Sequence, residues 1–167
     1  MSRLDSVIRR LQAQRACLQH GVESVRGLSG PVFELGLGNG RTYDHLREIC
    51  TDCEIFVFER KVAAHPDCIP DDDHLFLGDL SETLPAAVTR FRGKVRLIHS
   101  DIGTGDQARN AEIARYISGF LPDLLCPGGV IISDQAISFP GSQSVDLPDG
   151  VQPGRYFICR AGARDLD

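Results

Sequence analysis

Apolar residues follow one another along this chain in two rhythms, and the switches between them mark out the elements. Val7, Leu11, Leu18, Val22 and Val25 recur at helical spacing with one polar gap at Gln14, which predicts an amphipathic helix over residues 5–26. Short apolar runs come next: Pro31-Val32-Phe33, Glu54 to Glu59, His74 to Leu77, Val95 to His99 and Val130 to Ser133. They show no polar alternation, the mark of strands buried on both faces. Helical patterns separate them. One covers 42–50, and another follows Ser81 as a cap, with Pro85 in its first turn and Leu84, Val88 and Phe91 on its buried face. A third, over 106–125, carries Ile113, Ile117, Phe120, Leu121 and Leu124. Residues 61–73 read as a loop or a very short helix, and Tyr156 to Cys159 as a last strand.

Buried strands alternating with amphipathic helices predict an α/β fold. The expected form is a Rossmann-like, doubly wound, mostly parallel sheet in a three-layer α/β/α sandwich, shortened at its C-terminal end. The 167 residues, 42% hydrophobic, suit a single domain: an N-terminal helix (1–29), a core (30–135) and a short C-terminal segment (136–167). No apolar run is long enough to span a bilayer, so no membrane partner and a cytoplasmic location are expected. The six cysteines at 17, 50, 53, 68, 126 and 159 are then expected as reduced thiols. Residues 1–30 hold five arginines against Asp5 and Glu23, while the rest of the chain carries a net −8 of the total −5. An acidic body argues against a nucleic-acid partner, whose affinity rests on phosphate neutralisation. The basic first helix is read as a solvated face, with a homodimer through it as an open expectation.

The chemistry concentrates at Glu34-Leu35-Gly36-Leu37-Gly38-Asn39-Gly40-Arg41, a glycine turn between the first strand and a helix. Such a turn leaves main chain bare for a nucleoside-containing ligand. A dinucleotide fingerprint would need a small residue where Arg41 stands, and no phosphate-loop pattern is present. Glu59 ends the second strand, 19 residues past Gly40, placed to accept from ribose hydroxyls. Asp79 ends the third, placed to accept from an adenine amine. Ribose, adenine and no phosphate, in an acidic pocket compatible with a cation, describe the expected ligand.

With these residues in view, the chain resembles the class I S-adenosylmethionine-dependent methyltransferases. Glu34, Gly36, Gly38 and Gly40 match that family's first motif, and Glu59 its second-strand acid. Asp79 matches the acid after strand three, and Leu125-Cys126-Pro127-Gly128-Gly129 the turn into strand five. The resemblance implies S-adenosyl-L-methionine as cofactor and S-adenosyl-L-homocysteine as product. It implies cofactor contacts from Glu34, Gly36, Gly38, Asn39, Gly40, Glu59, Arg60, Asp79, the Leu80 backbone and Asp101. Glu34 also reads as a purely structural hydrogen-bond acceptor.

The reaction so implied is in-line methyl transfer to a small-molecule acceptor, because no large insertion provides a recognition domain. Asp101 and Asp134 are the candidate catalytic residues, orienting the acceptor. A weaker resemblance to cation-dependent catechol O-methyltransferases places a divalent ion at Asp101, Asp134 and Gln135. Gln135 stands where that group has Asn, and its lysine is missing, so a metal is not favoured. His99 reads first as a hydrogen-bonded core histidine and second as a general base. Cys50 and Cys53 form a lone C-x-x-C that lacks the partners of a zinc site. The rival readings are an NADP-dependent oxidoreductase, for which Arg60 speaks, and an inactive cofactor-binding module.

Overall fold

The computed structural model describes residues 2–163; the last four positions of the expected C-terminal segment lie outside the described residues. Helix α1 (Arg3–Ser24) begins at a capping box in which Ser2 and Asp5 each bond the other's backbone. Strand β1 (Val32–Leu35) leads through the glycine turn into α2 (Arg41–Ile49), and β2 (Ile55–Glu59) follows. Two single 3₁₀ turns, Pro66–Cys68 and Asp72–His74, precede β3 (Leu75–Leu77), so His74 ends a turn rather than opening the strand. Then come α3 (Leu80–Phe91), β4 (Val95–Ser100), α4 (Gln107–Ser118), α5 (Leu121–Leu124), β5 (Leu125–Ser133), β6 (Ser142–Val145) and β7 (Phe157–Ala161).

The seven strands form one sheet in the order β3-β2-β1-β4-β5-β7-β6, parallel except at β7, which is antiparallel to both neighbours. This is the expected doubly wound α/β architecture. On one face Phe33, Phe56, Phe58, Phe76 and Phe91 gather beneath α3, with Phe58 and Phe76 stacked at 4.6 Å. On the other, α1 and α2 cover Val32, Val57, Leu97, Val130 and Ile132. Gly21 lets α1 lie directly on the sheet, since a Cβ there would stand 2.3 Å from the Ile132 side chain.

Four expectations are corrected. Asp79, not Ser81, caps α3, its carboxylate accepting from the Ser81 N–H, and Pro85 consequently falls in the second turn. The 106–125 helix breaks at Gly119 and Phe120, so that α5 turns the chain back to the sheet. Strand β5 starts at Leu125, with a register irregularity opposite Val95–Leu97 that absorbs the Pro-Gly-Gly turn. Cys50 and Cys53 are joined as a disulfide, against the expectation that all six cysteines are thiols. Strand β6 escaped the sequence reading because Ser-Gln-Ser-Val at a sheet edge has no apolar run to betray it. No helix among the described residues is long and apolar enough to cross a membrane.

Candidate active site

Two strand ends and one turn build the first half of the site. The Gly36 N–H donates to the Phe58 carbonyl at 2.8 Å, which draws the turn across the end of β2. Gly36 has φ +89°, and a Cβ on it would come 2.3 Å from the Ile102 side chain, so only glycine fits both the conformation and the space. Glu59 holds the turn from the neighbouring strand. One of its oxygens accepts from Leu37 N (2.8 Å) and Gly38 N (3.1 Å), the other from Lys61 N (3.0 Å). Burial alone would raise this carboxyl, but the backbone donors outweigh it and hold it below the usual carboxylate range.

Beside this turn lies a cavity of about 540 Å³. Of the expected contacts, Gly36, Glu59, Arg60, Asp79 and Leu80 line it; Gly38, Asn39 and Gly40 form the turn without entering the wall. Asn39 spends its side-chain oxygen on the Arg41 N–H. Ile102, Arg109, Ile113 and Tyr116 also line the cavity; none is expected at the site from the sequence, which reads Ile113 only as part of a buried helix stripe. Arg109, Ile113 and Tyr116 sit at i, i+4 and i+7 on α4, a spacing that shows one helix face turned to the cavity. The cavity size lies within the range of roughly 300–1,000 Å³ usual for small-ligand sites.

Glu34 lies elsewhere: 1% exposed, beneath the turn rather than at the cavity wall. Register explains its partner. Glu34 stands opposite His99 in the β1–β4 ladder, so both side chains leave the same face of the sheet. His99 Nδ1 lies 2.7 Å from one Glu34 oxygen, and the Thr42 hydroxyl donates to the other. Burial would lower the His99 value, yet the Glu34 charge and hydrogen bond, aided by Asp101 and Asp134, leave it raised.

The second half of the site lies on that same face, where the two-residue strand period carries Leu97 and His99 on to Asp101, and Ile132 on to Asp134. Asp101 Oδ2 accepts from Tyr156 OH (2.8 Å) and from the Gln14 amide, with Arg10 at 3.5 Å. The polar gap in the first helix is thus the position facing this acid. Asp134 Oδ2 accepts from Gly103 N (3.0 Å) and Gln135 Nε2 (3.1 Å), while its Oδ1 is buried with no partner among the described residues. Burial first, then the neighbouring Asp101 charge, push the Asp134 carboxyl up against the opposing Gln135 and Gly103 bonds. Ile102 and Thr104 flank Gly103 and line the cavity, whereas Asp134 and Asp101, the latter expected as a cofactor contact, adjoin these residues without being part of the lining.

The bare turn, the strand-end carboxylate and an adjoining cavity fit an adenosyl ligand, and Gly38 supports the fit: a Cβ there would meet open space. The family model of the S-adenosyl-L-methionine methyltransferases matches residues 1–161. The chain belongs to that family. A crystal structure of an S-adenosyl-L-methionine methyltransferase from Silicibacter pomeroyi is 48% identical, covering 97% of this chain and 99% of the other, with a TM-score of 0.92. Human methyltransferase-like protein 13, solved with S-adenosylhomocysteine, shares the fold at 12% identity (TM-score 0.57, 95% and 82% covered). So does the antibiotic-resistance methyltransferase Kmr at 10% identity (TM-score 0.54, 87% and 93% covered). No curated protein sequence matches the chain. The protein is accordingly an S-adenosylmethionine-dependent methyltransferase with S-adenosyl-L-methionine as its cofactor, and the nicotinamide reading falls away.

Proposed function

We propose that this methyltransferase acts on a small-molecule acceptor held between the Asp101–Asp134 pair and the N-terminal half of α1. The observation carrying this reading is the carboxyl pair itself, set just past the ends of the adjacent strands β4 and β5, with Asp101 next in sequence to Ile102 of the cavity wall. Gly36 to Gly40 would pass under the methionine part of the cofactor, with Glu59 on the ribose and Arg60, Asp79 and Leu80 at the adenine end. Glu34 would act from below, keeping the turn in place through Thr42 and α2. Bound there, S-adenosylmethionine supplies an electrophilic methyl group on a sulfonium.

The chain's own part is alignment and proton handling. Three donors converge on Asp101 Oδ2, which leaves Oδ1 for the acceptor's proton. A hydroxyl or amine acceptor must lose a proton in the transfer, and a carboxylate at this place can take it up. Alignment of the acceptor atom, with water excluded, is worth roughly 7–11 kcal/mol in favourable intramolecular cases. Val7 and Leu11 share the helix face of Arg10 and Gln14 and offer an apolar wall to the acceptor's body. No inserted domain interrupts the sheet, which favours a small acceptor over a macromolecule.

The test is a product assay with labelled cofactor against phenols, amines and thiols. At least one class should be methylated at a rate unchanged by EDTA. Asp101→Asn should lower kcat by about 10²–10⁴-fold while S-adenosylhomocysteine affinity stays within about threefold, below the tenfold step of 1.4 kcal/mol. Labelling of RNA or protein, with none of the small molecules, would overturn the reading.

A further inference from the structure

Away from the cofactor cavity, at the opposite end of β4, a second piece of chemistry is assembled. Cys50 closes α2 as its C-cap residue and, three positions on, Cys53 meets it with a Cα–Cα separation of 5.8 Å. Arg96, near the start of β4, is only 4% exposed. It sends one terminal nitrogen to the Leu28 carbonyl (2.9 Å) and the other toward Cys50 Sγ (3.5 Å) and Asp52 Oδ1 (3.3 Å). Its Nε is buried without a partner among the described residues. Among the described residues the one carboxylate at this guanidinium belongs to Asp52, whose side chain is 72% exposed, so the buried cation is only partly compensated.

We infer that Cys50 and Cys53 form a reversible thiol–disulfide exchange site, with Cys53 as the entry sulfur and Cys50 as the sulfur whose thiolate Arg96 stabilises. Cys53 is half-buried and can be reached, whereas Cys50 is 4% exposed. Reduction places a thiolate beside an under-compensated guanidinium, the arrangement that makes a cysteine a good leaving group. The C-terminal end of α2 works against an anion at Cys50, and Arg96 is the group that offsets it. The co-reactant is a small-molecule disulfide. In the forward direction the Cys53 thiolate attacks one of its sulfurs, forming a mixed disulfide and releasing one thiolate. The Cys50 thiolate then attacks Cys53 Sγ, closing the Cys50–Cys53 bond and releasing the second thiolate. Two cysteine thiols are oxidised and one external disulfide is reduced; the two protons the cysteines lose pass through solvent to the two released thiolates, which leave as thiols.

The full chain should be equilibrated in glutathione buffers of graded ratio, acid-quenched, alkylated and counted by peptide mass spectrometry. Cys50 and Cys53 should interconvert together with the ratio, while Cys17, Cys68 and Cys159 remain thiols. Cys50→Ser should trap glutathione on Cys53, and Cys53→Ser should leave Cys50 largely unmodified. Asp52→Asn, an exposed change, should move the balance toward the dithiol by about threefold or more, because it removes an anion competing for Arg96. Arg96→Gln, if it folds, should move it toward the disulfide by about tenfold. Cys50, Asp52 and Cys53 also bring their ligand atoms within 4.8 Å of one another. Stoichiometric zinc that blocks alkylation, a pair that ignores the glutathione ratio, or an Asp52→Asn balance equal to wild type would each overturn the inference.

Discussion

Replacing Glu59 tests the cofactor half of the site most directly, because that carboxylate serves two roles that separate in magnitude. In the protein alone it accepts three backbone hydrogen bonds, from Leu37, Gly38 and Lys61, tying the glycine turn to β2. Gly38 and Lys61 are exposed, so water can replace part of what Glu59→Ala removes. Net hydrogen bonds to a charged acceptor contribute about 1.5–3 kcal/mol each when buried, and discounting for exposure leaves a stability loss of about 1–2 kcal/mol. In the complex, the two ribose hydroxyls would donate to the same carboxylate, away from bulk water, so about 3 kcal/mol of binding depends on it at the low end of that range. This corresponds to roughly a hundredfold weaker S-adenosylhomocysteine binding. Calorimetric titration supplies the affinity and thermal denaturation the stability. Glu59→Gln should keep more stability than Glu59→Ala yet still lose at least about tenfold in affinity, since a neutral amide is a weaker acceptor. Glu59→Ala protein that is folded and binds within threefold of wild type would remove Glu59 from the cofactor's grip. The pH dependence carries a further check. A carboxyl held below its unfolded value stabilises the fold above that unfolded value, and this advantage over Glu59→Ala should vanish as pH falls through the lowered one.

Asp134→Asn should raise the melting temperature by about 2–4 °C per kcal/mol gained at neutral pH. A carboxyl whose native value is raised loses its stabilising effect as pH rises through that value, so the variant's advantage should disappear in acid; scans at pH 3 and pH 7 decide. His99→Gln, which strands the buried Glu34, should cost about 3–5 kcal/mol in denaturant unfolding, and adding Glu34→Gln should recover part of it. An unchanged midpoint in the single variant would refute the pairing. Gly36→Ala should cost at least about 1–2 kcal/mol for the backbone conformation alone, beyond its collision with Ile102, and should abolish S-adenosylhomocysteine binding by calorimetry.

What could be read from the sequence and what could not divides along a physical line. The parallel core was legible because a strand buried on both faces is apolar at nearly every position, as Ile55-Phe56-Val57-Phe58 is, with polar exceptions such as Glu34 and His99 only where they pair. The cofactor turn was legible because main-chain approach leaves a local mark: three glycines, each with positive φ, lie within five residues. Boundaries failed where a short-range competitor decided them. Asp79 outranked Ser81 as the cap of α3, and Gly119 ended a helix whose apolar pattern ran on to Leu124. Strand β6 failed for a different reason: pairing with β7 alone gives Ser142 to Val145 their structure, with no burial to write it into the residues.

The half of the site around Asp101, proposed to hold the acceptor, was hidden because its contacts bridge long stretches of chain. Asp101 draws Gln14 from 87 residues away, Tyr156 from 55 and Arg10 from 91, and no local rhythm encodes such meetings. A trace of them was nonetheless present. A buried stripe tolerates a polar residue where that residue finds a partner, so Gln14, buried among Ala13, Cys17 and Leu18, already required something polar on the surface that α1 covers. Strand parity supplied the candidates, since Glu34, His99, Asp101 and Asp134 all belong to the face that carries Leu97 and Ile132. Combined, the two facts bring the first helix over the ends of β4 and β5. The same helix that closes the hydrophobic layer therefore also lies against Asp101, and on the proposed reading it forms one wall of the acceptor side.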